Sequence, residues 1–156
     1  MDTPTSQQIG KDLEDRVEQL LQVLCLPYSR GHVVKSRFGS TFTLDFWLPP
    51  VSGQPPIVLE CKNFGVVAKS LANSRGRKAQ EAFYLLAHVR RRCAETTGAR
   101  IVLVTGTKPL SQQQIEFLTA ELGPDFFVTS IDDPEGLRAT LLAGSRSTAL
   151  HASEGV

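Results

Sequence analysis

Cysteine is scarce in this chain and badly placed for a framework. Cys25, Cys61 and Cys93 are odd in number and far apart, with no C-x-x-C pair. That spacing excludes a disulfide scaffold and offers no zinc or iron–sulfur centre, so all three are expected to be small buried hydrophobes. Long apolar runs are missing as well, and no membrane partner is expected. The opening MDTPTSQQ lacks the basic and apolar regions of a secretion signal, so a cytoplasmic location is expected. His32, His88 and His151 have no partners at ligand spacing and receive no role. Nor is there a surplus of one charge, since 17 Lys and Arg stand against 16 Asp and Glu.

The charges that are present are unevenly distributed. Between Tyr28 and Arg100 lie twelve Lys and Arg and four acids, whereas outside that stretch twelve acids face five bases. A chain polarised in this way can present a basic surface to a polyanion despite its near-neutral total. Its 156 residues suffice for one domain with a real core. The domain is expected over 9–144, after a flexible 1–8 and before a small, polar tail at 145–156 that is expected to be disordered.

Leu13, Val17, Leu20, Leu21 and Leu24 recur at helical spacing, predicting an amphipathic helix over about 9–25. Glu14 falls at the edge of its apolar stripe and Glu18 further round. HVVKSRF and TFTLDFWL read as a hairpin; period-two alternation puts Phe42, Leu44, Phe46 and Leu48 on one face and Thr43, Asp45 and Trp47 on the other. Trp47 is expected to pack at the strand end. IVLECK is the next strand. A second helix carries Ala79, Ala82, Phe83, Leu86, Val89 and Cys93, and ARIVLVTG is a fully apolar central strand. A helix capped by Ser111, the strand DFFVTSI and a short closing helix complete an α-β-β-β-α-β-α-β-α order. The expected fold class is α/β, a mixed central sheet flanked by helices.

The chemistry concentrates on the third strand. Glu60 and Lys62 share one face there, and Leu59 and Cys61 the other. Asp45, on the preceding strand, brings a second carboxylate to within reach, because neighbouring strands lie about 4.8 Å apart. Two carboxylates so close call for positive charge between them. Mg²⁺ takes such oxygen ligands and keeps waters for a substrate phosphate, and Lys62 would stand beside one of these waters.

This pattern resembles the PD-(D/E)XK nuclease superfamily, in which an acid on the second strand of a hairpin precedes an E-x-K on the next strand and a glutamate lies on the preceding helix. Asp45, Glu60, Lys62 and Glu14 match those elements, with Glu18 the competing helix acid. Leu44 stands where the signature has proline. The resemblance implies an αβββαβ restriction-endonuclease-like core over about 9–106. Gln80 and Tyr84 are similar to the Q-x-x-x-Y of RecB-type nuclease domains, although the cysteine cluster of many such relatives is absent. The C-terminal part resembles Mrr-like restriction endonucleases, and small archaeal Holliday-junction resolvases share the four-residue pattern.

The same resemblance implies a Mg²⁺-dependent DNA endonuclease, with Mn²⁺ expected to substitute, that would leave 5′-phosphate ends. Asp45, Glu60 and the backbone carbonyl of Cys61 would hold the metal, Lys62 would attend the attacking water, and Glu14 would assist through a metal-bound water. Gln80 and Tyr84 would complete the site. Lys69, Arg75, Arg77, Lys78 and Arg91 are expected to contact DNA. One active site cuts one strand, so duplex cleavage implies a homodimer. Two alternatives use the same residues: a DNA-binding module without turnover, and a nuclease subunit whose protein partner supplies target recognition.

Overall fold

A computed structural model describes residues 3–63, 84–106 and 110–143. The first helix, α1 (Ser6–Val23), starts at a Thr5 cap whose hydroxyl accepts the Gln8 N–H at 3.2 Å, earlier than the apolar spacing alone implied. Beyond it the backbone reverses through Cys25 at φ 54°, and this cysteine is exposed, not buried as expected. Three antiparallel strands follow, β1 (Ser29–Lys35), β2 (Thr41–Leu48) and β3 (Ile57–Lys62). The described part of α2 runs over 84–92. Then come β4 (Arg100–Thr105), α3 (Gln112–Leu122), β5 (Phe126–Ser130) and α4 (Pro134–Leu142).

The strands form one sheet in the order β1-β2-β3-β4-β5, with β3, β4 and β5 parallel. This is the expected α/β architecture, a mixed five-stranded sheet flanked by helices. Parallel strands need crossover helices, and those helices cover both faces of the sheet. On one face Leu13, Val17 and Leu21 of α1 and Leu137 and Leu141 of α4 pack on Phe46, Leu48, Leu59, Val102 and Val104. On the other, Leu86, Val89 and Cys93 from α2 and its end, with Leu118 and Leu122 of α3, pack on Leu44, Trp47, Val58, Ile101 and Leu103. All six residues of β4 are buried, as its unbroken apolar run requires.

Local signals set the helix limits. Ser111 and Gln114 form a reciprocal capping box on α3, and Asp133 accepts the Gly136 N–H ahead of Pro134 at the start of α4. Arg100, counted above with the basic stretch, is buried and donates to the carbonyls of Thr140 and Ala143 at 3.0 and 2.7 Å. There it satisfies the carbonyl end of α4 instead of facing solvent.

The face assignment of β2 requires correction. Phe42 and Leu44 pack on the α2 side, but Phe46 and Leu48 pack on the α1 side. The β1–β2 register is the same above and below this point, with His32↔Leu44 and Arg30↔Phe46, so no residue has been inserted. Both strands instead change face together at Gly31 and Asp45, where Gly31 adopts φ +65°. Only glycine takes that conformation cheaply, and it breaks the period-two pleat that the alternating residues predict.

Candidate active site

The pleat breaks at the position that carries Asp45. The β2–β3 register runs from Leu48↔Ile57 to Phe46↔Leu59; one step further the two carboxylates take over the strand pairing. Glu60 Oε1 accepts the backbone N–H of Asp45 at 3.1 Å, and Asp45 Oδ2 accepts that of Cys61 at 2.8 Å. Each acid therefore replaces a ladder bond of the opposite strand. Asp45 is half-buried, whereas Glu60 is only 3% exposed.

Burial and then the Asp45 charge push the Glu60 carboxyl up to about 8; the Asp45 N–H and the Lys62 charge pull the other way without prevailing. A carboxyl in that state holds a proton at neutral pH unless a cation takes its place. Cys61 points to the α1 side, and its thiol is raised by burial, then by the charges of Asp45, Glu14 and Glu60, against Arg30. Negative charge from three elements thus converges around the end of β3.

Lys62, half-buried, follows on the Glu60 face of the strand, and its carbonyl accepts the Gly106 N–H at 3.3 Å. Among the described residues no carboxylate lies within ion-pair distance of its ammonium group. Glu14 is held by Arg30, whose guanidinium reaches Glu14 at 3.0 Å, Asp15 at 2.8 Å and Glu18 at 2.5 Å. Glu18 also accepts the Tyr28 hydroxyl at 3.0 Å. Of the two candidate helix acids, Glu14 is the one whose charge is felt at Cys61.

Arg30 had no place among the residues singled out from the sequence. Its partners lie 12 to 16 residues away on another element, and no local pattern announces such a cluster. The same holds for Asn63, whose side chain fills the space above Gly106 so closely that a Cβ there would lie 2.0 Å from its Oδ1. Asn63 and Gly106 line a recess of about 150 Å³ beside Asp12 and Arg16, next to the Lys62 end of β3. His32, given no role above, bonds Glu95 at 2.6 Å and stacks on Trp47, which is buried as expected.

The donor set suits a hard cation. It offers two carboxylates, each with one oxygen spent on a backbone N–H and one remaining, and burial and the neighbouring Asp45 charge raise the pKa of one of them, Glu60. Among the described residues no three His, Cys, Asp or Glu side chains are disposed around one point, so water and backbone oxygens would have to complete the shell. Tyr84 is 67% exposed on α2, which rules out a core-packing role for its ring. Arg91 is exposed and lines a cavity with Leu122 and with Thr97 and Gly98, which lead into β4 at the end of β3 opposite Lys62. It is not brought to the carboxylate pair. Gln80, Lys69, Arg75, Arg77 and Lys78 lie outside the described residues, as does the tail from 144. Among the described residues no helix is long and apolar enough to cross a membrane.

No family model and no curated protein matches the chain. Solved structures similar to it include the following two. A protein of unknown function, AF1548, has a TM-score of 0.51 and 19% identity, covering 75% of this chain and 55% of its own. Protein VC1899 from Vibrio cholerae has a TM-score of 0.52 and 16% identity, covering 87% of this chain and 33% of its own. The chain spans about half the length of the first and a third of the second, and at such identities the likeness is one of fold.

Proposed function

We propose that the protein is a Mg²⁺-dependent DNA endonuclease that hydrolyses phosphodiester bonds to leave 5′-phosphate ends. The observation that carries this reading is the crossed pair of Asp45 and Glu60 at the opening between β2 and β3, with Lys62 next on the Glu60 face. Asp45, Glu60 and the Cys61 carbonyl would hold the metal, which when bound supplies stabilisation of the charge that develops on phosphorus and the leaving oxygen. Lys62 orients the attacking water and favours its deprotonation, a task for which an ammonium group without a carboxylate partner among the described residues suits it. Glu14, fixed by Arg30, adds negative charge on the α1 side and accepts a hydrogen bond from water there. Gln80 and Tyr84 complete the site from α2, and Lys69, Arg75, Arg77, Lys78 and Arg91 engage DNA outside it.

The test is cleavage of single-stranded, duplex, flap and four-way-junction DNA with Mg²⁺, with Mn²⁺ and with a chelator. Metal-dependent cutting that disappears in Asp45→Ala upholds the reading; binding without cutting on any of these substrates replaces it with a DNA-binding module.

A further inference from the structure

The turn between β1 and β2 reads KSRFGST from Lys35 to Thr41, with two cations and no acid. Phe38 is 72% exposed in it, although burying such a ring is worth about 2 kcal/mol. The exposure belongs to a well-tied turn. Ser36 Oγ accepts the N–H groups of Phe38 and Ser40 at 3.3 and 3.2 Å, the Ser36 N–H donates to Ser40 at 2.7 Å, and the Gly39 N–H donates back to Ser36 at 3.0 Å. Gly39 sits at φ +88°, where a side chain would be strained. The Arg37 N–H donates to the Arg92 carbonyl at 2.9 Å, fastening the turn to the end of α2. The Arg92 guanidinium in turn covers the Phe38 ring at 5.2 Å from its centroid.

Three other arginines of the basic stretch are spent internally: Arg30 on α1 carboxylates, Arg90 on Leu122 and Asp125, and Arg100 on α4. Lys35, Arg37 and Arg92 are exposed, and among the described residues none of them has an ion-pair partner. We propose that this turn is a nucleic-acid-binding wing on which Phe38 stacks against an unpaired base while Lys35, Arg37 and Arg92 neutralise the flanking phosphates. A fixed aromatic surrounded by cations matches single-stranded nucleic acid, because every base offers a π face and every linkage a charge. The choice of DNA rests on the nuclease reading. Phe38 and Asp45 are seven positions apart, a contour of at most about 23 Å, or about seven nucleotide rises, so one strand can reach both. The wing accordingly favours substrates with unpaired bases, such as single strands, flaps and junctions, over blunt duplex.

The experiment uses the full chain in chelator, where binding is read without cleavage, with a labelled single strand and the corresponding blunt duplex in fluorescence anisotropy. Phe38→Ala is expected to weaken single-strand binding about tenfold and duplex binding much less. Phe38→Trp should keep the affinity, and its added indole emission should be quenched by the strand. Neutralising Lys35, Arg37 and Arg92 should flatten the dependence of log affinity on log salt by about 0.7 for each phosphate that is no longer neutralised. Equal single-strand affinity in wild type and Phe38→Ala overturns the wing, as does a Phe38→Ala change in sedimentation at unchanged affinity, which would make the turn an interface between copies. Phe38-dependent binding without Mg²⁺-dependent cleavage upholds the wing and removes the nuclease; cleavage with Phe38-independent binding removes the wing alone. A chain that binds no DNA removes both.

Discussion

Asp45 and Glu60 each accept a backbone N–H from the other's strand, at 2.8 Å to Asp45 and 3.1 Å to Glu60, and so hold two acids together where the β2–β3 ladder opens. Such an arrangement costs stability, because the buried glutamate keeps its proton up to about pH 8 against an ordinary value of 4.5. With the folded-state value raised, the native state binds the extra proton between those limits, and stability falls as pH climbs from about 4.5 to about 8.

Glu60→Gln keeps the acceptor for the Asp45 N–H and removes the ionisation. Its melting temperature should exceed that of the wild type by a margin that widens between about pH 5 and pH 8, while cleavage falls at least about a hundredfold. Thermal melts across pH, paired with turnover on the same samples, decide the matter. A margin that shrinks with rising pH would contradict the buried-acid account.

Mg²⁺ held by Glu60 as proposed would compete with that same proton. Calorimetric titration should therefore show tighter Mg²⁺ binding at about pH 8.5 than at about pH 6.5, with proton release at the lower pH. Binding that ignores pH would separate Glu60 from the metal.

Asp45→Ala and Lys62→Ala are each expected to lower cleavage at least about a hundredfold, since they remove metal holding and water positioning. Cys61→Ala should do far less, because only its carbonyl would face the metal. Near wild-type turnover in Lys62→Ala sinks the proposed mechanism.

Arg30 bonds both helix acids, and the Tyr28 hydroxyl, which bonds Glu18 and not Glu14, separates them. Glu14→Gln should reduce cleavage and leave the melting temperature nearly unchanged, whereas Glu18→Gln, which weakens the bonds to Tyr28 and Arg30, should lower stability and spare turnover. Arg30→Met leaves three carboxylates facing one another and should cost about 1–2 kcal/mol in denaturant unfolding. The opposite pattern for the two glutamates would make Glu18 the functional acid.

Tyr84→Phe should lower turnover without moving the melting temperature, because its ring is exposed. Gln80→Ala should behave alike. Normal cleavage by both removes the Q-x-x-x-Y pair from the site and leaves Asp45, Glu60 and Lys62 untouched.

The order of elements, the apolar faces of α1 and α2, the buried β4 and the shared face of Glu60 and Lys62 were all determined by the sequence itself. Each depends on a period of two or 3.6 residues, or on a cap within three residues, and such short-range geometry is written in neighbouring letters. Tertiary structure alone decided that β2 changes face at Asp45, that Cys25 is exposed, that Arg30 gathers three carboxylates of α1, and that Arg100 is buried against α4. The reason is physical: a glycine at positive φ in one strand redirects the strand beside it, and a charge finds its partner across space, so neither event leaves a periodic trace in the chain.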